Sequence, residues 1–142
     1  MIAIFTTRWN ELFCQKLEAA ARARLQEAGY SVKHWVVPGA LEIPLAVEWA
    51  LDQHPNQVEA VVACGVILKG ETYHFELVAN ETSRALTDIA LRRKIPIGHG
   101  ILACYNLQQV EDRTQGSKNK GAEAALAVLE MLQLKKEIGE PK

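Results

Sequence analysis

Four short apolar runs, separated by segments with helical periodicity, restrict the fold of this chain more than any other feature. The runs cover residues 1–5, 30–37, 58–64 and 97–103. Apolar runs of this length are typical of strands that are buried on both faces. Strands that alternate with helices are joined by right-handed crossovers and form a parallel sheet. The sequence therefore predicts an α/β protein, a three-layer α/β/α sandwich around a four-stranded parallel sheet in a flavodoxin-like arrangement.

Five segments have the apolar spacing of amphipathic helices. Asn10 is a residue type that caps helices through its side chain, so it is predicted to cap the first helix. Residues 114–120, between the last two segments, are predicted to form a polar loop. The five predicted helices cover residues 11–28, 42–54, 73–93, 107–113 and 122–135.

The size and charge of the chain favour one soluble domain. Its 142 residues suffice for one hydrophobic core, so we expect a single domain over residues 1–142. A net charge of −1 creates no field that would attract nucleic acid or a membrane surface. The first ten residues lack the basic and long apolar regions of a leader, and no apolar run has transmembrane length. We therefore expect a cytoplasmic protein with no nucleic-acid or membrane partner.

The cysteine pattern points to buried thiols. Cys14, Cys64 and Cys104 are an odd number, lie far apart in the chain and include no C-x-x-C pair. Neither a disulfide framework nor a zinc site is indicated by such spacing. No metal site is predicted, and the three side chains are expected to belong to the core.

Residues 65–79 carry the strongest local signal for chemistry. They lead from a buried strand through a loop containing Gly70, Glu71 and Thr72 into a helix. Unpaired N–H groups and the positive dipole end at a helix N-terminus stabilise anions, so this loop is a candidate phosphate site. His74, in the first helical turn, could move protons near neutral pH. For His74 taken alone, an ordinary role as a helix residue remains the alternative.

Two further residues follow strands at positions where parallel α/β proteins bind ligands. Trp9 could stack on a planar heterocycle, and Glu42 could accept hydrogen bonds from ligand hydroxyl groups. The alternatives are packing of Trp9 on a loop or subunit, and a charge at Glu42 stabilised by the helix dipole. Arg113, Lys118 and Lys120 form a basic group that fits a solvated loop. Arg113 would bind phosphate only if it lay near the candidate phosphate site.

Five sequence blocks together identify a family. They are TRWN at 7–10, VPGALEIP at 37–44, GVILKGETYHFELVA at 65–79, PIGHGIL at 96–102 and NKGAEAA at 119–125. In order and approximate spacing they resemble the lumazine synthase family, and the resemblance covers nearly the whole chain. It implies an enzyme that condenses 5-amino-6-(D-ribitylamino)uracil with 3,4-dihydroxy-2-butanone 4-phosphate. The products would be 6,7-dimethyl-8-ribityllumazine, phosphate and water, with no metal or organic cofactor.

The resemblance also implies roles for individual residues. His74 would transfer protons, and Gly70, Glu71 and Thr72 would hold the phosphate while Arg113 neutralises it. Aromatic stacking, main-chain hydrogen bonds and contacts with the ribityl chain would bind the pyrimidine substrate. The residues implied for that substrate are Trp9, Asn10, Ala40, Leu41, Glu42, Val66, Ile67, Leu68 and, from a neighbouring subunit, His99.

The resemblance further implies a homo-oligomer, with a pentamer as the expected assembly and a larger shell as the alternative. Active sites would be shared between adjacent subunits. Two other functions remain open at this point: a non-catalytic protein that binds a lumazine or flavin, and an assembly protein of the same fold. Formation of product from the two substrates would separate the enzyme from both.

Overall fold

The structure is a computed structural model that describes residues 1–141. Within these residues the chain forms four strands, five helices and two short 3₁₀ turns, at Ala40–Glu42 and Gly116–Lys118. The strands are β1 (Ile2–Thr7), β2 (Val32–Val37), β3 (Ala60–Leu68) and β4 (Ile97–Cys104). The helices are α1 (Glu11–Glu27), α2 (Ile43–Gln53), α3 (His74–Arg93), α4 (Leu107–Arg113) and α5 (Lys120–Gly139).

The four strands form one sheet in the order β2-β1-β3-β4, and every neighbouring pair is parallel. This confirms the predicted four-stranded parallel sheet. The order matches the first four strands of the flavodoxin-like arrangement. From β1 the chain crosses outward to β2 and then returns past β1 to β3. The crevice between the carboxyl ends of β1 and β3 is the switch point at which such sheets bind ligands.

Helices cover both faces of the sheet, which confirms the three-layer architecture. Leu17 of α1 and Ala125 of α5 lie in the core on one face. Val47 of α2 and Leu86 of α3 lie in the core on the other face. All of β1 is buried between these layers, which explains why residues 2–5 are apolar without alternation. None of the helices in the described part of the chain combines the length and apolarity needed to cross a membrane.

The third strand is longer than the sequence indicates. The apolar pattern ends it at residue 64 and treats Gly65 as the start of a loop, which is wrong. Residues 65–68 continue β3 and pair in register with residues 101–104 of β4. A Cβ atom at Gly65 would lie only 3.0 Å from Cγ2 of Thr7 on β1. Gly65 is therefore a site of close approach between neighbouring strands rather than a loop boundary.

The start of α5 also differs from the prediction, which placed it at residue 122. Asn119 caps the helix, because its Oδ1 accepts from two N–H groups of the first turn, at 2.8 and 3.2 Å. Its Nδ2 group donates to the carbonyl oxygens of Lys16 and Thr114, at 3.2 and 2.8 Å. Asn119 and Thr114 are both buried. The segment predicted as a polar loop therefore contains a buried anchor that ties α5 to α1.

Gly121 allows helices α1 and α5 to touch through their backbones. A Cβ atom at this position would lie 2.1 Å from the carbonyl oxygen of Leu17. No side chain fits within such a distance, so the helices could not pack as they do with any other residue here. The NKGAEAA block consequently has a structural explanation, a helix cap followed by a close helix crossing.

The predicted burial of the cysteines is confirmed. Cys14, Cys64 and Cys104 are all buried as free thiols. They belong to the core on the side of α1 and α5. Burial raises the pKa of each thiol, most strongly for Cys64. All three therefore remain protonated at neutral pH.

Candidate active site

A cavity of about 420 Å³ opens at the carboxyl ends of β1 and β3, at the switch point of the sheet. Its walls come from the loop after β1, the 3₁₀ turn after β2, the end of β3 and the first turn of α3. The lining residues are Thr7, Trp9, Asn10, Pro38, Gly39, Ala40, Leu41, Glu42, Val66, Ile67, Leu68, His74, Phe75 and Val78.

A larger cavity, of about 750 Å³, lies at the opposite end of the sheet. It is lined by residues at the ends of helices and strands, among them His54, Lys94 and Lys136. Basic side chains near helix C-termini offset the negative end of the helix dipole, which accounts for their presence there. We assign the active site to the smaller cavity, because the side chains that could bind a substrate or transfer protons converge on it.

The structure brings together nine of the residues that the sequence analysis selected. All nine line the smaller cavity: Trp9, Asn10, Ala40, Leu41, Glu42, Val66, Ile67, Leu68 and His74. They come from four separate stretches of the chain. Their convergence on one cavity is a property of the fold, since only the sheet order brings the ends of β1 and β3 side by side.

Trp9 is 74% exposed although it is a large aromatic residue. Its indole lies over Gly39, where an added Cβ atom would be 3.7 Å from Cδ1 of the ring. Little of the ring is covered by the protein, and it borders the cavity. An exposed aromatic face beside a cavity is suited to stacking against a planar ligand.

Asn10 differs from its predicted role as a helix cap. Its side chain makes no capping hydrogen bond, and its backbone is left-handed, with φ 59°. Asparagine is among the few residues other than glycine that tolerate this conformation. The Nδ2 group instead donates to the carbonyl oxygen of Val66, at 3.4 Å. Asn10 therefore links the loop after β1 to the wall formed by β3.

The 3₁₀ turn Ala40–Glu42 forms another wall of the cavity and leads directly into α2. The N–H group of Glu42 donates to the carbonyl oxygen of Gly39, at 3.2 Å. The Glu42 carboxylate is exposed, and its Oε2 atom lies 3.1 Å from where a Cβ atom of Gly39 would be. Its position at a helix start stabilises the charge, and its exposure leaves it free to accept from a ligand.

Residues 69–74, between β3 and α3, are exposed. Lys69 forms an ion pair with Glu76, and hydrogen bonding to Lys69 lowers the pKa of the Glu76 carboxyl below its usual range. The Thr72 hydroxyl accepts from the N–H group of His74, at 3.3 Å. One donor of the helix N-terminus is thus already engaged, and Gly70, Glu71 and Thr72 do not line the cavity.

Arg113 and His99 do not line the cavity of their own chain either. Nη1 of Arg113 donates to the carbonyl oxygen of Gln109, at 3.1 Å, at the end of α4. Nε2 of His99 lies 2.8 Å from Oγ of Ser83, which joins β4 to α3. Because β4 is an edge strand, His99 lies at a border of the sheet that a second molecule could approach.

The sequence analysis did not single out Thr7, Phe75 or Val78 as lining residues. Thr7 is 3% exposed and lies at the last position of β1, where the strand meets the cavity. The change from apolar residues to threonine at the carboxyl end of β1 is the signal that could have identified it. Phe75 and Val78 have the spacing of core residues in α3, and they both pack inward and border the cavity.

Fold and site together define an α/β protein that binds a small ligand at the switch point of a parallel sheet. Comparison with known proteins narrows this class. The family model described as 6,7-dimethyl-8-ribityllumazine synthase matches residues 1–136, and the chain belongs to this family.

Relatives from several bacteria carry the same description. The chain is 45% identical over 139 residues to 6,7-dimethyl-8-ribityllumazine synthase of Azorhizobium caulinodans. The aligned region covers 95% of this chain and 86% of the relative. It is 43% identical over 142 residues to the protein of that description from Agrobacterium fabrum, covering 97% and 96% of the two chains. For the protein from Bartonella tribocorum, the identity is 42% over 140 residues, with 98% and 92% covered.

Proposed function

We propose that this chain is a 6,7-dimethyl-8-ribityllumazine synthase that condenses 5-amino-6-(D-ribitylamino)uracil with 3,4-dihydroxy-2-butanone 4-phosphate. The observation that carries the proposal is the family match over residues 1–136. The relatives also align over nearly their whole lengths. The non-catalytic alternatives, a lumazine- or flavin-binding protein and an assembly protein, have no observation in their favour.

The pyrimidine substrate is proposed to bind between Trp9 and the end of β3. The exposed indole can cover one face of the planar ring. Main-chain groups of Val66, Ile67 and Leu68, which line the cavity, can bind the ring edge through hydrogen bonds. Asn10 supports this wall, because its side chain donates to the carbonyl oxygen of Val66.

The ribityl chain is proposed to lie along the 3₁₀ turn Ala40–Glu42. Its hydroxyl groups need acceptors, and the exposed Glu42 carboxylate provides a charged one. Leu41 is also exposed at the cavity edge and can contact the carbon chain. This arrangement would use both properties of Glu42, the helix-start charge and the free carboxylate oxygen atoms.

The second substrate is proposed to place its phosphate on Gly70, Glu71 and Thr72, with Arg113 as the neutralising cation. These loop residues precede α3, whose positive dipole end favours an anion. Neither the loop nor Arg113 lines the cavity in the isolated chain, so they would approach the phosphate when substrate binds. Exposure of the loop is consistent with such a movement.

The reaction needs little covalent help from the protein. The substrate amine attacks the ketone carbonyl and forms an imine with loss of water, so no protein nucleophile is required. Holding two substrates in one cavity would supply much of the rate enhancement. Loss of phosphate and ring closure require proton transfers, and His74 lines the cavity at the proposed phosphate side. His74 is therefore assigned as the proton carrier.

We further propose a homopentamer with active sites shared between adjacent subunits and His99 supplied by a neighbour. A groove of about 460 Å³ between α3 and α5 is lined mainly by apolar residues, including the exposed Leu91, Met131 and Ile138. Exposed apolar surface of this kind is typical of subunit interfaces.

The three free buried thiols support a reducing, cytoplasmic location.

A two-substrate assay tests the proposal. Purified protein is mixed with both substrates, and formation of the fluorescent lumazine is followed against a reaction without enzyme. The enzyme should form product with saturation in each substrate. Binding of the pyrimidine substrate without product would instead support the non-catalytic alternative. A Glu42→Gln variant, which keeps the shape of the side chain, should raise the Michaelis constant of the pyrimidine substrate while Glu130→Gln on α5 leaves it unchanged.

A further inference from the structure

We infer that Thr7 and Cys14 act as positioning residues for Trp9, holding the loop from which the indole reaches the cavity. This inference deepens the proposed function and rests on it for the identity of the bound ring. Neither residue was identified from the sequence as part of the site. Both lie beneath Trp9 at the junction of β1 and α1, and only Thr7 borders the cavity.

The Trp9 carbonyl oxygen is held by two side chains. The Thr7 hydroxyl donates to it at 3.3 Å, and the Cys14 thiol donates to it at 3.4 Å. Oγ1 of Thr7 and Sγ of Cys14 are themselves 3.3 Å apart. Each group carries a single proton, so at most two of the three contacts are hydrogen bonds at one time. The three groups therefore form a closed triangle of contacts around one backbone position. Thr7 is 3% and Cys14 2% exposed, so both donor side chains are shielded from water.

The Trp9 ring depends on its backbone for its position. With 74% of the residue exposed, few side-chain contacts hold the indole in place. Two further bonds fix the same loop, from the Arg8 N–H group to the carbonyl oxygen of Val37, at 2.9 Å, and from Asn10 to Val66. The main chain on both sides of Trp9 is thus anchored, and the triangle anchors Trp9 itself.

The chemistry of Cys14 suits a donor rather than a nucleophile. Its thiol is buried, and burial raises the pKa of Cys14 above its ordinary value, so the proton remains available for donation. Loss of the donor would leave the Trp9 carbonyl with Thr7 alone. A carbonyl that loses one of two donors is held less firmly, so the backbone at Trp9 can shift. The indole would move with it, and its stacking geometry would change.

The test compares donor-removing variants with matched controls. Cys14→Ala and Thr7→Val remove one donor each, while Cys14→Ser and Thr7→Ser keep a hydroxyl at the same place. Cys64→Ala is the control for a lost buried thiol, because Cys64 is fully buried in the same core. The first readout is the ¹⁹F NMR signal of Trp9 in protein labelled with 5-fluorotryptophan, assigned with Trp9→Phe. The second is the Michaelis constant of each substrate.

We expect Cys14→Ala and Thr7→Val to shift the Trp9 signal and to raise the Michaelis constant of the pyrimidine substrate. The rise should be about threefold to tenfold, because each variant loses one modest hydrogen bond. The Michaelis constant of the butanone phosphate should stay within about twofold. The serine variants should restore both readouts, and Cys64→Ala should lower thermal stability without moving them. If Cys14→Ala does not fold, Thr7→Val carries the comparison.

A Trp9 signal that is unchanged in both donor-removing variants would overturn the inference, whatever their activity. A shifted signal with unchanged Michaelis constants in an active enzyme would also overturn it. The fluorine signal requires no turnover, so it separates this inference from the proposed function. If the wild-type protein makes no product but the signal shifts as expected, the positioning role stands and the proposed function fails.

Discussion

The loop containing Trp9 lines the cavity, whereas residues 69–73 only connect two of its walls, the end of β3 and the start of α3, and the two segments are held in different ways. The Trp9 loop is fixed by Arg8 to β2, by Asn10 to β3 and by the pair Thr7 and Cys14 beneath it. Residues 69–73 are exposed throughout, and their anchors lie at the two ends. The first loop is tied to its surroundings along its length, whereas the second is tied mainly at its ends.

This difference separates two tasks. A stacking surface must be present before the ligand arrives, because disorder in it would lower affinity. A loop that receives a phosphate can close over it, since the anion itself supplies the missing interactions. We infer that the Trp9 loop recognises a planar ring and that residues 69–73 adjust their position to the reacting substrate.

His74→Ala should give the largest effect. We expect kcat to fall about tenfold to a hundredfold, because general acid–base catalysis is lost while the two substrates are still held together. Folding stability should not change, since the side chain is exposed. Steady-state kinetics and thermal unfolding measure the two quantities. His54→Ala, at the other end of the sheet, is the matched control and should retain full kcat. An unchanged kcat in His74→Ala would remove this histidine from the mechanism.

The two glycines of residues 65–79 should differ in how much stability is lost when each is replaced by alanine. Gly65→Ala forces a Cβ atom to within 3.0 Å of Thr7 Cγ2, and we expect unfolding to require about 1–2 kcal/mol less. At Gly70 an added Cβ atom meets no atom within 4 Å, and we expect a change within about 0.5 kcal/mol. Urea unfolding followed by circular dichroism provides the comparison. Equal losses in both variants would show that the two sides of the cavity are equally rigid.

These glycines also illustrate what the sequence could predict of the fold. Apolar runs and helical spacing identified four strands and five helices, because both patterns are local. The end of β3 was missed because residues 65–68 are strand only through pairing with β4. The position of Gly65 reflects a neighbour, Thr7, that is far away in the chain. The burial of Asn119 could not be predicted either, because one of its four hydrogen bonds joins it to Lys16, which is far away in the chain. Its bonds to the N–H groups of residues 121 and 122 are a local helix cap.

The candidate site was predictable to the extent that single residues have characteristic chemistry. Trp9, Glu42 and His74 stand out because an aromatic, a carboxylate and an imidazole each follow a strand or begin a helix. The role of Cys14 could not be predicted, since a lone cysteine in an apolar helix face has the pattern of a core residue. Its hydrogen bond to Trp9 depends on the left-handed turn at Asn10, which no periodicity indicates.

Thr72 provides a smaller test of the exposed segment, residues 69–73. Thr72→Val removes the hydroxyl that accepts from the His74 N–H group, and we expect a loss of about 0.5 kcal/mol, at the low end for capping interactions. The bond is long and exposed, which limits its contribution. Thr72→Ser keeps the acceptor and should match the wild type in urea unfolding. A loss greater than about 2 kcal/mol in Thr72→Val would mean that this segment is anchored as firmly as the Trp9 loop.

The smallest effect should be a dependence of the free energy of unfolding on pH. It arises from His34, which lies next to β1. Nε2 of His34 is 2.8 Å from Oγ1 of Thr6, and its Nδ1 lies 3.9 Å from Glu18, which pairs with Arg22. Burial lowers the pKa of His34 below its ordinary value, against the opposing effect of Glu18.

In the unfolded chain His34 takes up a proton near its ordinary pKa of about 6.5, whereas the folded protein does so only at lower pH. The unfolded state therefore binds more protons as the pH falls below about 6.5, and the free energy of unfolding decreases. We expect His34→Gln to lose less stability than the wild type between about pH 7 and pH 5, as measured by urea unfolding at each pH. If His34→Gln loses as much stability as the wild type across this range, His34 does not contribute to the loss of stability in acid.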